Sequence, residues 1–349
     1  MGEVPKRPPN KRPPLDRGFF SVALKTNKAD TTPIVDYLRM EYGRDFSLPV
    51  NDSLEAAMVL LYSITGDSRQ ERIAGTHLAN LILLYAKRIA TTTDNLKIHR
   101  RSKLYRLFIQ ALRAKIEPAD LTLLTFNQDL HIEKTLLEIH RQHGSVLPLQ
   151  SWFALPKMYC LPKPFPIRGR SSSDPLFPII GHDDPCVAVL KLHGSFNWYS
   201  VHRSSRPNSD VLFNPGRRLY VSNSATTRAY FTVRHRKRTD HARPIIIPPV
   251  SHKSAILQKD VRELWAVADQ RLRQATRIIV FGYSCPESDL ESASLIGRCL
   301  NATRRSFALH IVDPNPATVS RFHDLTHCPR IHYYDSIDQF LSVGQSIFN

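Results

Sequence analysis

Four short apolar runs, each stopping at a cluster of polar residues or a glycine, constrain this chain more than any other feature. They are Leu121-Thr122-Leu123-Leu124-Thr125 before Phe126-Asn127-Gln128-Asp129, and Val187-Ala188-Val189-Leu190 before Lys191-Leu192-His193-Gly194-Ser195. The others are Ile278-Ile279-Val280-Phe281 before Gly282-Tyr283-Ser284, and Leu309-His310-Ile311-Val312 before Asp313-Pro314-Asn315. Short, mainly apolar runs of this kind suit the strands of a parallel sheet. The pattern predicts strands over 121 to 126, 187 to 192, 277 to 281 and 308 to 312, with a short one near Ile331 to Tyr333. Between them, amphipathic stretches predict helices over 129 to 141, 254 to 275, 289 to 302 and 315 to 324. That alternation is the signature of an α/β fold with a parallel sheet. In such a fold the polar strand ends gather at the carboxyl edge of the sheet, where ligands bind.

The remaining chain divides around this core. Residues 1 to 14 hold five prolines and four basic residues and read as a flexible basic tail. Residues 15 to 116 read as a helical block: Ile34, Tyr37, Leu38 and Tyr42 share one face, Ser53 precedes Leu54 as a helix start, and further helices cover 76 to 90 and 102 to 115. Such a block suits a cap over the crevice. Residues 117 to 343 form the α/β domain, interrupted by a Pro-rich insertion at 146 to 186 and a second at 199 to 250. Within the second, Val211 to Phe213, Leu219 to Val221 and Tyr230 to Val233 suggest a small β meander. Helix 254 to 275 turns Ile256, Val261, Leu264, Trp265, Ala268 and Leu272 to one side, a core-packing face.

Composition narrows the function classes. The 349 residues carry a net charge of +17, which attracts polyanions, and the densest basic stretch is Arg234-His235-Arg236-Lys237-Arg238. No recognisable nucleic-acid-binding module accompanies it, so the charge favours affinity for nucleic acid, nucleotides or acidic surfaces without specifying the partner. Five cysteines are scattered without any Cys-x-x-Cys pair, which supports neither a disulfide framework nor a tetrathiolate zinc site. The longest apolar runs fall short of the ~18 to 20 residues that span a bilayer, and no apolar segment follows the basic start, so a cytoplasmic protein is expected.

His193 is a titratable side chain placed at a strand end, where histidine serves either structure or acid–base chemistry. Asp129 stands where a carboxylate caps the following helix or lines the crevice.

Taken together, and in this order along the chain, these stretches resemble the sirtuin-like, or silent-information-regulator-like, family. The likeness is to its bacterial branch without a zinc module. Thr125-Phe126-Asn127-Gln128-Asp129 is similar to its Thr-x-Asn-x-Asp strand end, and Lys191-Leu192-His193-Gly194-Ser195 to its Lys-Leu-His-Gly-Ser strand end. Gly282-Tyr283-Ser284-Cys285-Pro286-Glu287-Ser288-Asp289 resembles its Gly-Tyr-Ser-x-Pro-x-x-Asp turn, and Asp313-Pro314-Asn315 the strand end near the adenosine half of NAD. The resemblance covers roughly residues 117 to 340. It implies a Rossmann-like NAD-binding fold and an NAD-consuming activity, NAD hydrolysis with release of nicotinamide, serving bacterial anti-phage defence. NAD is then a substrate, and no zinc is expected. His193 would act as base or hydroxyl orienter at the nicotinamide ribose, Asn127 would position the ribose and a water, and Asp129 would fix Asn127 or bind the ribose. Gly282, Ser284, Asp313 and Asn315 either contact phosphates, ribose and adenosine or serve turn chemistry.

The chain departs from the family at its front, where a first strand and a Gly-Ala-Gly-x-Ser loop cradle the pyrophosphate. Here Gly2 is the only glycine before Gly18, while Pro13-Pro14-Leu15-Asp16-Arg17-Gly18-Phe19-Phe20 resembles the segment after that loop. The sequence therefore reads as one that starts late, with a degenerate form as the other explanation. Two rival functions follow: a catalytically inactive nucleotide-sensing or scaffold protein of the same fold, which binds NAD or ADP-ribose, and a basic nucleic-acid-binding protein acting through residues 234 to 238.

Overall fold

The computed structural model describes residues 18–64, 68–93, 102–143, 155, 157–161, 165–167, 186–202, 219–223, 231–235, 238–247, 259–286, 289–302 and 306–348. The tail 1 to 14, most of the 146 to 186 insertion, Val211 to Phe213, and Arg236 and Lys237 of the basic stretch lie outside them.

A buried carboxylate starts the first helix. Asp52 accepts hydrogen bonds from the Phe20 amide at 2.7 Å, the Ser21 amide at 2.8 Å and the Ser21 hydroxyl at 2.5 Å, satisfying amides that a helix start leaves unpaired. Four helices follow: α1 (Phe19–Thr26), α2 (Lys28–Tyr42), α3 (Leu54–Ser63) and α4 (Arg69–Thr93). The Ser53 hydroxyl caps α3 by accepting from the Ala56 amide, as its position predicts. Phe19, Phe20, Leu38, Leu61 and Leu78 close one apolar core, and Phe196 and Ile246 from outside the helices join it.

The chain then builds α5 (Lys103–Arg113), β1 (Thr122–Thr125), α6 (His131–His143), β2 (Phe165–Ile167), β3 (Ala188–Lys191), β4 (Gly194–His202), β5 (Leu219–Ser222), β6 (Phe231–His235) and β7 (Arg238–Ile246). It ends with α7 (Lys259–Gln274), β8 (Arg277–Phe281), α8 (Leu290–Asn301), β9 (Ala308–Val312), α9 (Ala317–Thr326), β10 (Ile331–Tyr334) and α10 (Ile337–Phe348). The fold is α/β with parallel strand pairing: β1 pairs with β3, and β8, β9 and β10 form a second parallel sheet in the order β10-β9-β8. Among the described residues, β1 pairs only with β3 and β8 only with β9. The four residues of β3 are buried, whereas those of β1 are only partly so. No described helix is long and apolar enough to cross a membrane.

One local expectation changes. The meander expected within 199 to 250 is part of a mixed sheet with strand order β2-β5-β4-β7-β6, and its strand β4 begins at Gly194, directly after His193. Of the basic stretch, Arg234 and His235 end β6 and Arg238 begins β7, and His235 pairs with Arg238. A final helix, α10, packs Phe340 and Ile337 against Val312 of β9 and was not anticipated. α5 packs on α6 and α10, sending Tyr105 and Phe108 into the same core as β3.

β9 and β10 also carry a histidine pair. His310 stacks on His332 with ring centroids 4.8 Å apart, and its Nδ1 lies 3.3 Å from the Tyr334 hydroxyl. Burial, with His332 and Arg277 adding positive charge nearby, pulls His310 down from 6.5 to about 4. Between those values the unfolded chain binds a proton there that the folded chain does not, so stability rises with pH. Stability should therefore fall as pH drops from about 6.5 toward about 4, and His310→Gln should shrink that loss. Urea midpoints measured across this range for both proteins check it; identical pH slopes would remove His310 as the cause.

Candidate active site

The parallel register places Thr125 level with Lys191, so the residues after β1 and after β3 emerge side by side. The turn after β1 is held at almost every residue. The Asn127 amide donates to Thr125 Oγ1 at 3.0 Å, the Gln128 carbonyl accepts from the Phe196 amide at 3.0 Å, and Tyr85 of α4 donates to Gln128 Oε1 at 3.3 Å. Asp129 Oδ1 accepts from the His131 amide at 2.9 Å, so one carboxylate oxygen caps α6, and its carbonyl accepts from Lys191 Nζ. Asn127 is the exposed residue of this turn.

Backbone hydrogen bonds hold His193 as firmly. The Leu192 amide donates to the Thr125 carbonyl at 3.1 Å, Trp265 Nε1 to the Leu192 carbonyl at 3.1 Å, and the Ile247 amide to the His193 carbonyl at 3.0 Å. Trp265 thus combines core packing with a direct grip on the peptide before the histidine. The next residue, Gly194, has a φ of +81°, which turns the chain from the parallel strand β3 into the antiparallel strand β4.

His193 itself is 5% exposed and meets α8. Its Nε2 lies 3.6 Å from Asp289 Oδ2 and 3.5 Å from Ser292 Oγ, both buried, and the Tyr283 hydroxyl donates to Asp289 Oδ2 at 3.3 Å. Phe126 links the two sheets: its ring is 5.2 Å from His193 and stacks on Tyr283 at 4.4 Å. Burial, then the Asp289 charge, push the Tyr283 phenol far up, so it stays protonated and remains a donor. A carboxylate beside an imidazole fixes the ring and stabilises the cation formed when it takes up a proton. Cys285 in the neighbouring turn is no rival nucleophile, because burial pushes its thiol up, away from the reactive thiolate.

The other residues singled out from the sequence sit nearby in different states. Gly282 is exposed with a φ of +61°, and its amide donates to the Val312 carbonyl at 3.1 Å. Ser284 offers its carbonyl to Arg321 at 3.2 Å. Asp313 Oδ1 accepts from the Asn315 amide at 2.8 Å and Asn315 Oδ1 from the Ala317 amide at 3.1 Å, so these side chains shape the turn into α9. Asn127 and His193 each follow the Thr125–Lys191 register pair by two residues, at the ends of β1 and β3, and Gly282 and Ser284 flank Tyr283, which stacks on Phe126. Asp289, Ser292, Tyr283 and Phe126 join them without having been picked out individually. Asp289 was visible only as the last residue of a turn motif, and Ser292 is 99 residues from His193 in the chain, so no local pattern signals their meeting. Among the described residues no group of three or more His, Cys, Asp or Glu is placed to hold a metal ion.

No model of a known protein family matches the chain, and no curated protein does either.

Proposed function

We propose that this chain is an NAD-consuming enzyme with a Rossmann-like, sirtuin-like arrangement, and that it hydrolyses NAD to nicotinamide and ADP-ribose. The observation that carries the reading is the buried His193–Asp289 pair at the end of β3, with the exposed Asn127 following the end of its parallel neighbour β1. That edge is where α/β folds take nucleotides, and this group set suits a glycosidic bond whose leaving group departs neutral.

In this reading the bond from ribose C1′ to the nicotinamide nitrogen breaks, and the electron pair leaves with nicotinamide. Water adds to C1′ of the oxocarbenium-like centre and loses a proton, which His193 accepts directly or through a ribose hydroxyl. Asn127 positions the ribose and the water. Asp289 holds the His193 ring and stabilises the imidazolium, with Tyr283 and Ser292 fixing the carboxylate and the ring. The helical block reaches this edge through Tyr85 on Gln128, which supports its reading as a cap. A role in bacterial anti-phage defence rests on the family resemblance alone.

Incubating the protein with NAD while following nicotinamide and ADP-ribose by chromatography tests the reading. Release in equal amounts is expected. Calorimetric binding of NAD with no release would instead favour the inactive nucleotide sensor, and tight nucleic-acid binding without NAD binding would favour the third reading. Asp289→Asn should lower the rate roughly 10- to 100-fold, within the ~10²–10⁴ that a positioned base contributes, and leave ADP-ribose affinity within a few-fold. An unchanged rate in this variant would show that His193 acts without Asp289.

A further inference from the structure

A cation lies fully buried at the junction of the two strand ends. Lys191 and Glu133 have side chains 1% and 0% exposed, and Nζ meets Glu133 Oε1 at 2.8 Å. Nζ also donates to the Asp129 carbonyl. Around them runs a closed polar network: Tyr159 donates to Glu133 Oε1 at 2.8 Å, Asn197 Nδ2 to the Tyr159 oxygen at 2.8 Å, and Ser195 to Asn197 Oδ1 at 2.7 Å. Tyr159, Asn197 and Ser195 are each at most 1% exposed. Burial and the Glu133 charge push the Tyr159 phenol up, which keeps it a donor.

Such a network is an expensive way to fill a core. Two charges lose their hydration, and Glu133 Oε2 is buried with no hydrogen-bond partner. Apolar side chains of similar volume are often as stable in such a place or more so, and the best-attested use of a buried ionic group is to specify one arrangement. What this one specifies is legible in its connections. Lys191 is two residues before His193 on the same strand end, and the carbonyl it grips belongs to Asp129, two residues after Asn127. A single ammonium therefore spans the chain segments that carry both candidate catalytic groups, while Glu133 ties it to α6. With side chains 1% and 0% exposed, Lys191 and Glu133 can act on the site only through the groups they hold.

We infer that Lys191, held by Glu133, whose carboxylate Tyr159 fixes, is a positioning residue that sets Asn127 relative to His193. The inference rests on the NAD-hydrolase reading. Placement of this kind acts on the transition state, because small shifts of an attacking group cost rate while most of the contacts that bind NAD persist.

The test compares Lys191→Met/Glu133→Gln and Tyr159→Phe with wild type, reading kcat and KM for NAD alongside thermal unfolding. The double variant removes both charges and keeps an acceptor for Tyr159. Its kcat should fall at least about 10-fold with KM changed less than about threefold, and Tyr159→Phe should lower kcat severalfold with the same unchanged KM. A double variant that folds and keeps kcat within twofold of wild type overturns the inference. If the double variant does not fold, Tyr159→Phe decides: a kcat equal to wild type overturns it as well. Wild-type protein that releases no nicotinamide sinks the hydrolase reading and this role together, whereas active wild type with unaltered variants sinks this role alone.

Discussion

Replacing His193 with alanine is expected to lower nicotinamide release from NAD by about 10²- to 10⁴-fold, the contribution of a positioned acid–base group. The imidazole is 5% exposed, so alanine leaves a small polar cavity beside Asp289 and Ser292 at the sheet edge. ADP-ribose affinity should stay within a few-fold, since the lost group acts mainly on the proton. Asn127→Ala should give a loss of similar size with little cost in stability, because Asn127 is exposed and its turn is held through other residues. The double variant should be little worse than either single one, as groups that act together are strongly non-additive. Nicotinamide release at the wild-type rate in both single variants would dismantle the site.

Gly194→Ala should produce the largest loss of stability from a single methyl. A Cβ at this position would stand 2.0 Å from the Ile245 carbonyl oxygen, backbone of β7 that is itself paired with β4. The residue also has a φ of +81°, where any side chain is strained. Strain of this kind costs about 1–3 kcal/mol and overpacking of a core another ~1–3 kcal/mol, so a loss of about 2–6 kcal/mol is expected. Because the Ile247 amide holds the His193 carbonyl, moving β7 away would also displace the histidine. The urea midpoint and NAD turnover should fall together. Alanine tolerated at this site, with a midpoint near wild type, would mean that β4 and β7 are not packed so closely.

The strands of the two parallel sheets were legible as short, mainly apolar runs ending at Thr125, Lys191, Phe281 and Val312, although only β3 and most of β9 are fully buried while β1 and β8 are partly so. β7 was not: Asp240, His241, Arg243 and Pro244 break both apolar and alternating patterns, and its register to β4 shifts between Ser195 and Tyr199. α10 carries a readable signal in Ile337, Phe340 and Leu341 at helical spacing. The candidate site divides in the same way. Asn127 and His193 stand out as polar residues ending apolar strands. Asp129, Asp313 and Asn315 stand out equally, yet each has a side-chain oxygen engaged by a nearby backbone amide.

Local order along the chain thus dictated which segments become strands and which polar residues end them, since propensity and burial act within a few residues. It did not dictate that Asp289 and Ser292 would face His193, or that Lys191 would grip the Asp129 carbonyl. Those meetings depend on the Thr125–Lys191 register, on how α8 packs under the strand ends, and on the backbone turn at Gly194. The register is a long-range alignment in which a shift of one residue would turn every side chain to the other face, and the seating of α8 likewise depends on partners far along the chain, so only the assembled structure decides them.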